Sequence, residues 1–124
     1  MKTASAKAKG RKLQYWVCCK ISELFDIKFD QQDDQCPIHS REMGQSGVDV
    51  YFRNKKYYDK FPFDIECKAT ERFQIYKDIE QAKQNMKEGR DWLLFHRKNR
   101  SEPIVVLDAE CFFKLLKRNY KGNM

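Results

Sequence analysis

The residues that could do chemistry lie in one stretch, SGVDVYFRNKKYYDKFPFDIECKAT, residues 46–70. It carries Asp49 behind a glycine, then Glu66 and Lys68 flanking Cys67 in an alternating apolar run. In an extended chain, residues two apart share a face and lie about 6.5–7 Å from each other. Glu66 and Lys68 therefore stand together, and Asp49 on a neighbouring strand can meet Glu66. Phosphodiester hydrolysis needs such a set. Carboxylates hold a divalent cation, the cation polarises the phosphate and acidifies water, and a cationic side chain positions that water or offsets developing charge. The main-chain carbonyl of Cys67 passes between Glu66 and Lys68 and is a further oxygen donor. Asp64 shares the face of Glu66 one pleat earlier and is the alternative carboxylate. Taken singly, the same residues read as a strand-end acid and a solvated ion pair of little energetic value.

Alternation over Val48, Val50 and Phe52 against Asp49 and Tyr51 predicts a strand. Phe63, Ile65 and Cys67 against Asp64, Glu66 and Lys68 predict a second, begun behind Pro62 because proline cannot donate within a sheet. Between them, NKKYYDK reads as a turn or hairpin loop. Ahead of them, residues 11–25 have Leu13, Trp16, Val17, Ile21 and Leu24 at helical spacing. A short strand is expected near Ile27–Phe29, followed by a long polar loop. Residues 74–88 predict a helix with Ile75, Ile79, Ala82 and Met86 inward and Gly89 as its stop. WLLFHR and PIVVLD predict two strands joined by the polar turn KNRSE, and DAECFFKLLKRNY a last helix behind Asp108 as N-cap. Phe112, Phe113, Leu115 and Leu116 on that helix either cap the core or meet a second copy, and the core is the preferred reading. This order gives an α/β domain, a central mixed sheet flanked by helices, over residues 11–120. Residues 1–10, small and basic, read as a flexible arm.

The charge balance points to a polyanion. Among 124 residues there are 25 Lys and Arg against 18 Asp and Glu, a formal net charge of +7. Residues 1–20 contain no acid, and basic ends around an acidic centre suit a protein that holds phosphates while gathering carboxylates for a cation. Lys7, Lys9, Arg11 and Lys12 are the DNA-binding candidates at the N-terminus. Lys55 and Lys56, beside Tyr57 and Tyr58, are a second set that mixes aromatic rings with charge, as unpaired or branched nucleic acid favours. Gln45 and Ser46 precede the Asp49 strand and can touch a phosphate. No apolar run has the length of a membrane span and no signal-peptide core is present, so a soluble intracellular, cytoplasmic protein is expected. The five cysteines form no framework and fit a reducing compartment. Cys36 and His39, in CPIH, lack the second ligand pair that a structural zinc needs, and nothing in the sequence supports His39 or His96 as a base.

GVD followed on the next strand by IECK resembles the motif of the PD-(D/E)xK nuclease superfamily. The closer resemblance is to archaeal and phage-borne Holliday-junction-resolvase-like endonucleases. It is carried by the basic, Gly-containing N-terminus leading into a helix, the Ser-Gly before Asp49, the E-x-K strand, and a late pair of strands before a C-terminal helix, over most of residues 8–118. The resemblance implies a restriction-endonuclease-like core, with Asp49 and Glu66 as ligands of Mg²⁺ (or Mn²⁺) and Lys68 assisting the nucleophilic water. It also implies accessory roles for Gln14, Gln81 and Ser46, branched DNA as substrate, a homodimer, and a phage or mobile-element origin. Two positions depart from the pattern. Gln14 stands where such families often place an acid, with Glu23 a poor substitute two to three turns later, and Val48 replaces a proline. The missing carboxylate leaves a second metal open. A nicking, repair or restriction-type nuclease and a DNA-binding module with impaired catalysis are the alternatives.

Overall fold

The computed structural model describes residues 3–122, so residues 1–2 of the expected arm lie outside it. Helix α1 spans Ala4–Leu24, and the Thr3 side chain caps it by accepting the Ala6 N–H at 3.1 Å. The helix thus starts well ahead of Arg11. Alanines and lysines behind a hydroxyl cap are favourable helix formers, and the segment read as an arm continues the helix from Ala4 on. Its buried stripe is Leu13, Val17 and Ile21 with Gln14, Cys18 and Ser22. Trp16 and Leu24, expected in that stripe, are 37% and 71% exposed.

Five strands form one sheet in the order β1 (Ile38–Ser40), β2 (Val50–Phe52), β3 (Phe63–Lys68), β4 (Asp91–His96) and β5 (Ile104–Leu107). Neighbours are antiparallel except β3 and β4, which run parallel from Phe63 opposite Asp91 to Lys68 opposite His96. A parallel pair needs a crossover, and α3 (Ile75–Asn85) supplies it. Three local expectations change. No strand forms at Ile27–Phe29, where Phe29 instead packs on the core and meets Tyr15 edge-on at 5.7 Å. The first strand lies in the expected loop, because Ile38–Ser40 pair with Val50–Phe52. The stretch after β2 is a short helix, α2 (Lys55–Lys60), rather than a hairpin loop, since the Asn54 side chain accepts the Lys56 N–H at 2.8 Å and starts a turn.

The alternation on β3 sorts the molecule into two layers. Phe63 and Ile65 face the α1 side with Leu93, Val50 and Ile38, and Cys67 packs against that core. Trp92 and Leu94 of β4 face the other side with Ala82 of α3. The protein is therefore an α/β domain with a five-stranded mixed sheet flanked by helices. Helix α4 (Ala109–Gly122) begins as expected, the Cys111 N–H donating to the Asp108 carboxylate at 3.3 Å. It buries Cys111 against the α1-side core. The expectation that its aromatics cap the core is overturned, since Phe112, Phe113 and Leu115 are 45%, 63% and 37% exposed. Cys111 faces inward and Leu116 is half-buried, while the Phe-Phe pair falls on the outer face of the helix. No helix among the described residues is long and apolar enough to cross a membrane.

Candidate active site

The site exists because β2 and β3 part. Their pairing is confined to Val50 opposite Ile65, with the Asp49 N–H still donating to the Ile65 carbonyl at 2.9 Å. Gly47, at φ +108°, lets the chain turn away just before it, and that backbone conformation favours glycine. Beyond this point Cys67 has lost a strand partner. Its N–H is taken by the Asp49 carboxylate at 2.7 Å, which fixes that side chain over the end of β3. In a strand the N–H and C=O of one residue point to the same edge, so the Cys67 carbonyl also turns toward the gap. The neighbouring Lys68 carbonyl points the other way and accepts the Arg97 N–H at 3.1 Å.

Glu66 is buried at 4% exposure. One oxygen accepts the Asn85 side-chain amide at 3.1 Å, and the other lies 3.9 Å from Lys68 Nζ. Burial first, and then the negative charge of Asp49, push the Glu66 carboxyl up to about 7, against the opposing pull of Asn85 and Lys68. The Asp49 carboxylate lies close enough to Glu66 for its charge to raise the Glu66 carboxyl. Two acids held close together, one of them buried, favour a proton or a cation between them.

Asp49, Glu66, Cys67 and Lys68 line a cavity of about 230 Å³ together with Gln14, Gln81 and Ser46. Every site and accessory residue expected from the sequence is thus brought to one place. Gln14 is buried on α1, and its amide oxygen accepts the Ser40 hydroxyl, so one of its two lone pairs is spent there. Ser40 is in turn held through its main chain by both ends of the Gln31 amide at 2.8 Å. The loop 41–47 forms the remaining wall with Glu42, Met43 and Gln45. Met43 of this loop packs on α1 at Gly10, its terminal Cε 2.5 Å from where a Cβ there would stand.

The four N-terminal cations divide around this cavity. Lys7 and Arg11 line a second cavity with Arg41, Glu42 and Met43, and Lys9 and Lys12 line a third with Ala69 and Arg97 to Arg100. Lys55 and Lys56 are not brought to the site. They sit on α2, at the Phe63 end of β3, about 16 Å of strand from Lys68, and Lys55 pairs with Asp59 at 2.7 Å. Asp64, the alternative carboxylate, is engaged elsewhere: Arg90 Nε and the Lys87 N–H each donate to it at 2.7 Å. Cys36 and His39 are committed to the main chain through Lys28 and Asp33, and Arg53 donates to the other His39 nitrogen at 2.9 Å. His96 stacks on Phe73 at 4.1 Å and bonds to Thr70, holding the segment after β3.

Sequence reasoning missed Asn85 and the wall residue Glu42. Asn85 was findable, since it lies four residues after Gln81 on one helix face. Glu42 lay in a stretch read only as a loop. Among the described residues no three His, Cys, Asp or Glu side chains converge as a metal-binding group. Comparison with protein-family models, with curated proteins and with solved structures finds no match to this chain.

Proposed function

We propose that the protein is a metal-dependent DNA endonuclease with a restriction-endonuclease-like core, acting on branched DNA in recombination or in processing replication intermediates. The observation that carries the reading is the convergence of Asp49, the buried Glu66 and Lys68 on one cavity flanked by cations. The donor set fits one hard divalent cation. Asp49, Glu66 and the Cys67 carbonyl would hold Mg²⁺ or Mn²⁺, which when bound supplies Lewis acidity toward a phosphodiester. The chain's own part is positional and electrostatic. Cys67 N–H and Asn85 orient the two carboxylates, and Lys68 offsets negative charge growing on phosphorus and steers a water. Gln81 and Ser46 contact the strand, and Lys7, Lys9, Arg11 and Lys12 bind flanking phosphates. A two-fold junction suits two copies, and the exposed aromatics of α4 offer the apolar surface for that contact.

One observation favours a second reading, a DNA-binding module with impaired catalysis: Gln14 stands where a third carboxylate would complete a stronger ligand set. A single assay decides. The protein is incubated with four-way junction, linear duplex and single-stranded DNA, with Mg²⁺, with Mn²⁺ and with chelator. Symmetric metal-dependent cuts confined to the junction are expected. Cuts on linear duplex would move the reading to a nicking, repair or restriction-type nuclease. Tight binding without cleavage under either metal would leave only the binding module.

A further inference from the structure

A strongly basic cavity stands next to the site, and of its cations only the two α1 lysines have been given a role above. Its walls come from two remote parts of the chain: Lys9 and Lys12 on α1, and Arg97, Lys98, Asn99 and Arg100 in the turn between β4 and β5. Ala69, one residue past Lys68, closes it on the sheet side. Five cationic side chains therefore surround a space of about 180 Å³. Among the described residues none of the five makes an ion pair. The nearby acid Glu71 is occupied by the Asn99 N–H at 2.7 Å. Like charges gathered without counter-charges repel, so this wall costs the fold stability unless an anion is there. The turn is built to hold the arrangement. Arg100 takes a left-handed backbone, φ +61°, and Arg97 Nε donates to the Ser101 carbonyl at 3.1 Å, which closes the turn on itself.

We propose that this cavity is a phosphate subsite, in which the β4–β5 turn and α1 together clamp one backbone phosphate of the bound DNA strand next to the phosphate that is cut. The volume lies below the range of sites for drug-sized ligands and is lined by cations, so it fits a phosphodiester better than a base or a cofactor. Adjacency sets the register. Ala69 directly follows Lys68 and shares a strand face with Cys67, so the sheet-side wall of the subsite continues into the wall of the site cavity. The subsite therefore positions the strand and carries no sequence information. The inference rests on the nuclease reading in taking the polyanion to be DNA and in placing the cut phosphate beside it.

The test measures binding without cleavage, in chelator, using a fluorescent four-way junction over a range of NaCl concentrations. The turn variant is Arg97→Ala with Lys98→Ala and Arg100→Asn, asparagine being tolerant of the left-handed position. The helix variant is Lys9→Gln with Lys12→Gln. Each phosphate contact contributes about 0.9 to the slope of log affinity against log salt. Each variant is expected to lower that slope by about 1. Because both walls grip one phosphate, the combined variant is expected to lose no more slope than either alone. A control that removes three charges from α4, Lys114→Ala with Lys117→Ala and Arg118→Ala, is expected to leave the slope unchanged. The proposal is overturned if the turn variant keeps the wild-type slope, if the α4 control loses as much, or if the two walls' losses add, since additive losses mean separate phosphates. A wild-type protein that binds DNA with a steep slope yet never cuts it would sink the nuclease reading, and the slope losses would then still decide whether the two walls clamp one phosphate.

Discussion

Asp64 and Glu66 sit two residues apart on one strand and one face, both buried, at 6% and 4% exposure, yet they have opposite fates. Asp64 is finished. It accepts from Arg90 and from the Lys87 N–H, and Arg90 goes on to bond the carbonyls of Tyr58, Phe61 and Phe63. The guanidinium also lies 3.7 Å over the Tyr58 ring. A planar donor fork satisfied on every side is a structural tie between α2, β3 and the turn before β4. Glu66 has one amide partner, a lysine at the limit of ion pairing, and a second acid against it. Its burial costs free energy that its partners do not return. A buried carboxylate whose charge is already matched serves the fold, and one left short of positive charge is the acid on which the proposed cation site rests.

The sharpest way to break this contrast is to remove each acid in turn. Glu66→Ala is expected to cut cleavage on the order of 10³-fold, with junction binding in chelator retained, because on the proposed reading it deletes a ligand of the reacting centre. A Glu66→Ala protein that cuts normally puts the site elsewhere. Asp64→Asn should do the reverse. Arg90 keeps its three carbonyl partners but loses its only counter-charge while buried, which costs about 3 kcal/mol in urea unfolding, while activity per folded molecule persists. If Asp64→Asn unfolds no more easily than wild type, the tie is not what holds α2 to the sheet.

The raised Glu66 carboxyl gives a smaller, pH-dependent effect of definite sign. Between pH 4.5, its unfolded value, and about 7, the native state holds a proton that the unfolded chain has released. Metal-free stability should therefore fall as pH rises through that window, by on the order of 3 kcal/mol at most, and level off above it. Glu66→Gln should flatten the profile. Added Mg²⁺ should restore stability at high pH and chelator remove it again. A wild-type profile that rises from pH 5 to 8 would mean Glu66 is not the proton holder.

Smallest is the effect of Asn85, a positioning residue. Its amide pulls the Glu66 carboxyl down, so Asn85→Ala should slow cleavage about 10-fold and shift the acid limb of the pH–rate profile to higher pH. A uniform loss at every pH would point to packing instead.

Much of the site was legible in the sequence. Strand alternation put Glu66 and Lys68 on one face, and helical spacing put Gln14 and Gln81 on elements that could reach them. The α1 stripe, the crossover helix and the late strand pair were legible for the same reason. What could not be read was partnership. Asp64 and Glu66 look alike in the chain, and the residue that separates them, Arg90, is 26 positions from Asp64. The turn KNRSE read as a polar connection, because nothing local says that Lys9 and Lys12 will face it.

The sequence by itself determined the local geometry: which residues share a strand face or a helix stripe, where Pro62 and Asp108 begin an element, and that positive charge outweighs negative. Those properties follow from the repeat of the backbone and from composition, which need no distant contact. Only the tertiary structure decided which acid is neutralised, that β1 forms from Ile38–Ser40 rather than from Ile27–Phe29, that the α4 aromatics stay in water, and that two basic segments from opposite ends of the chain enclose one cavity. Each of these depends on contacts closed across long loops, where the free energy of a charge or a ring is set by neighbours the local sequence does not contain.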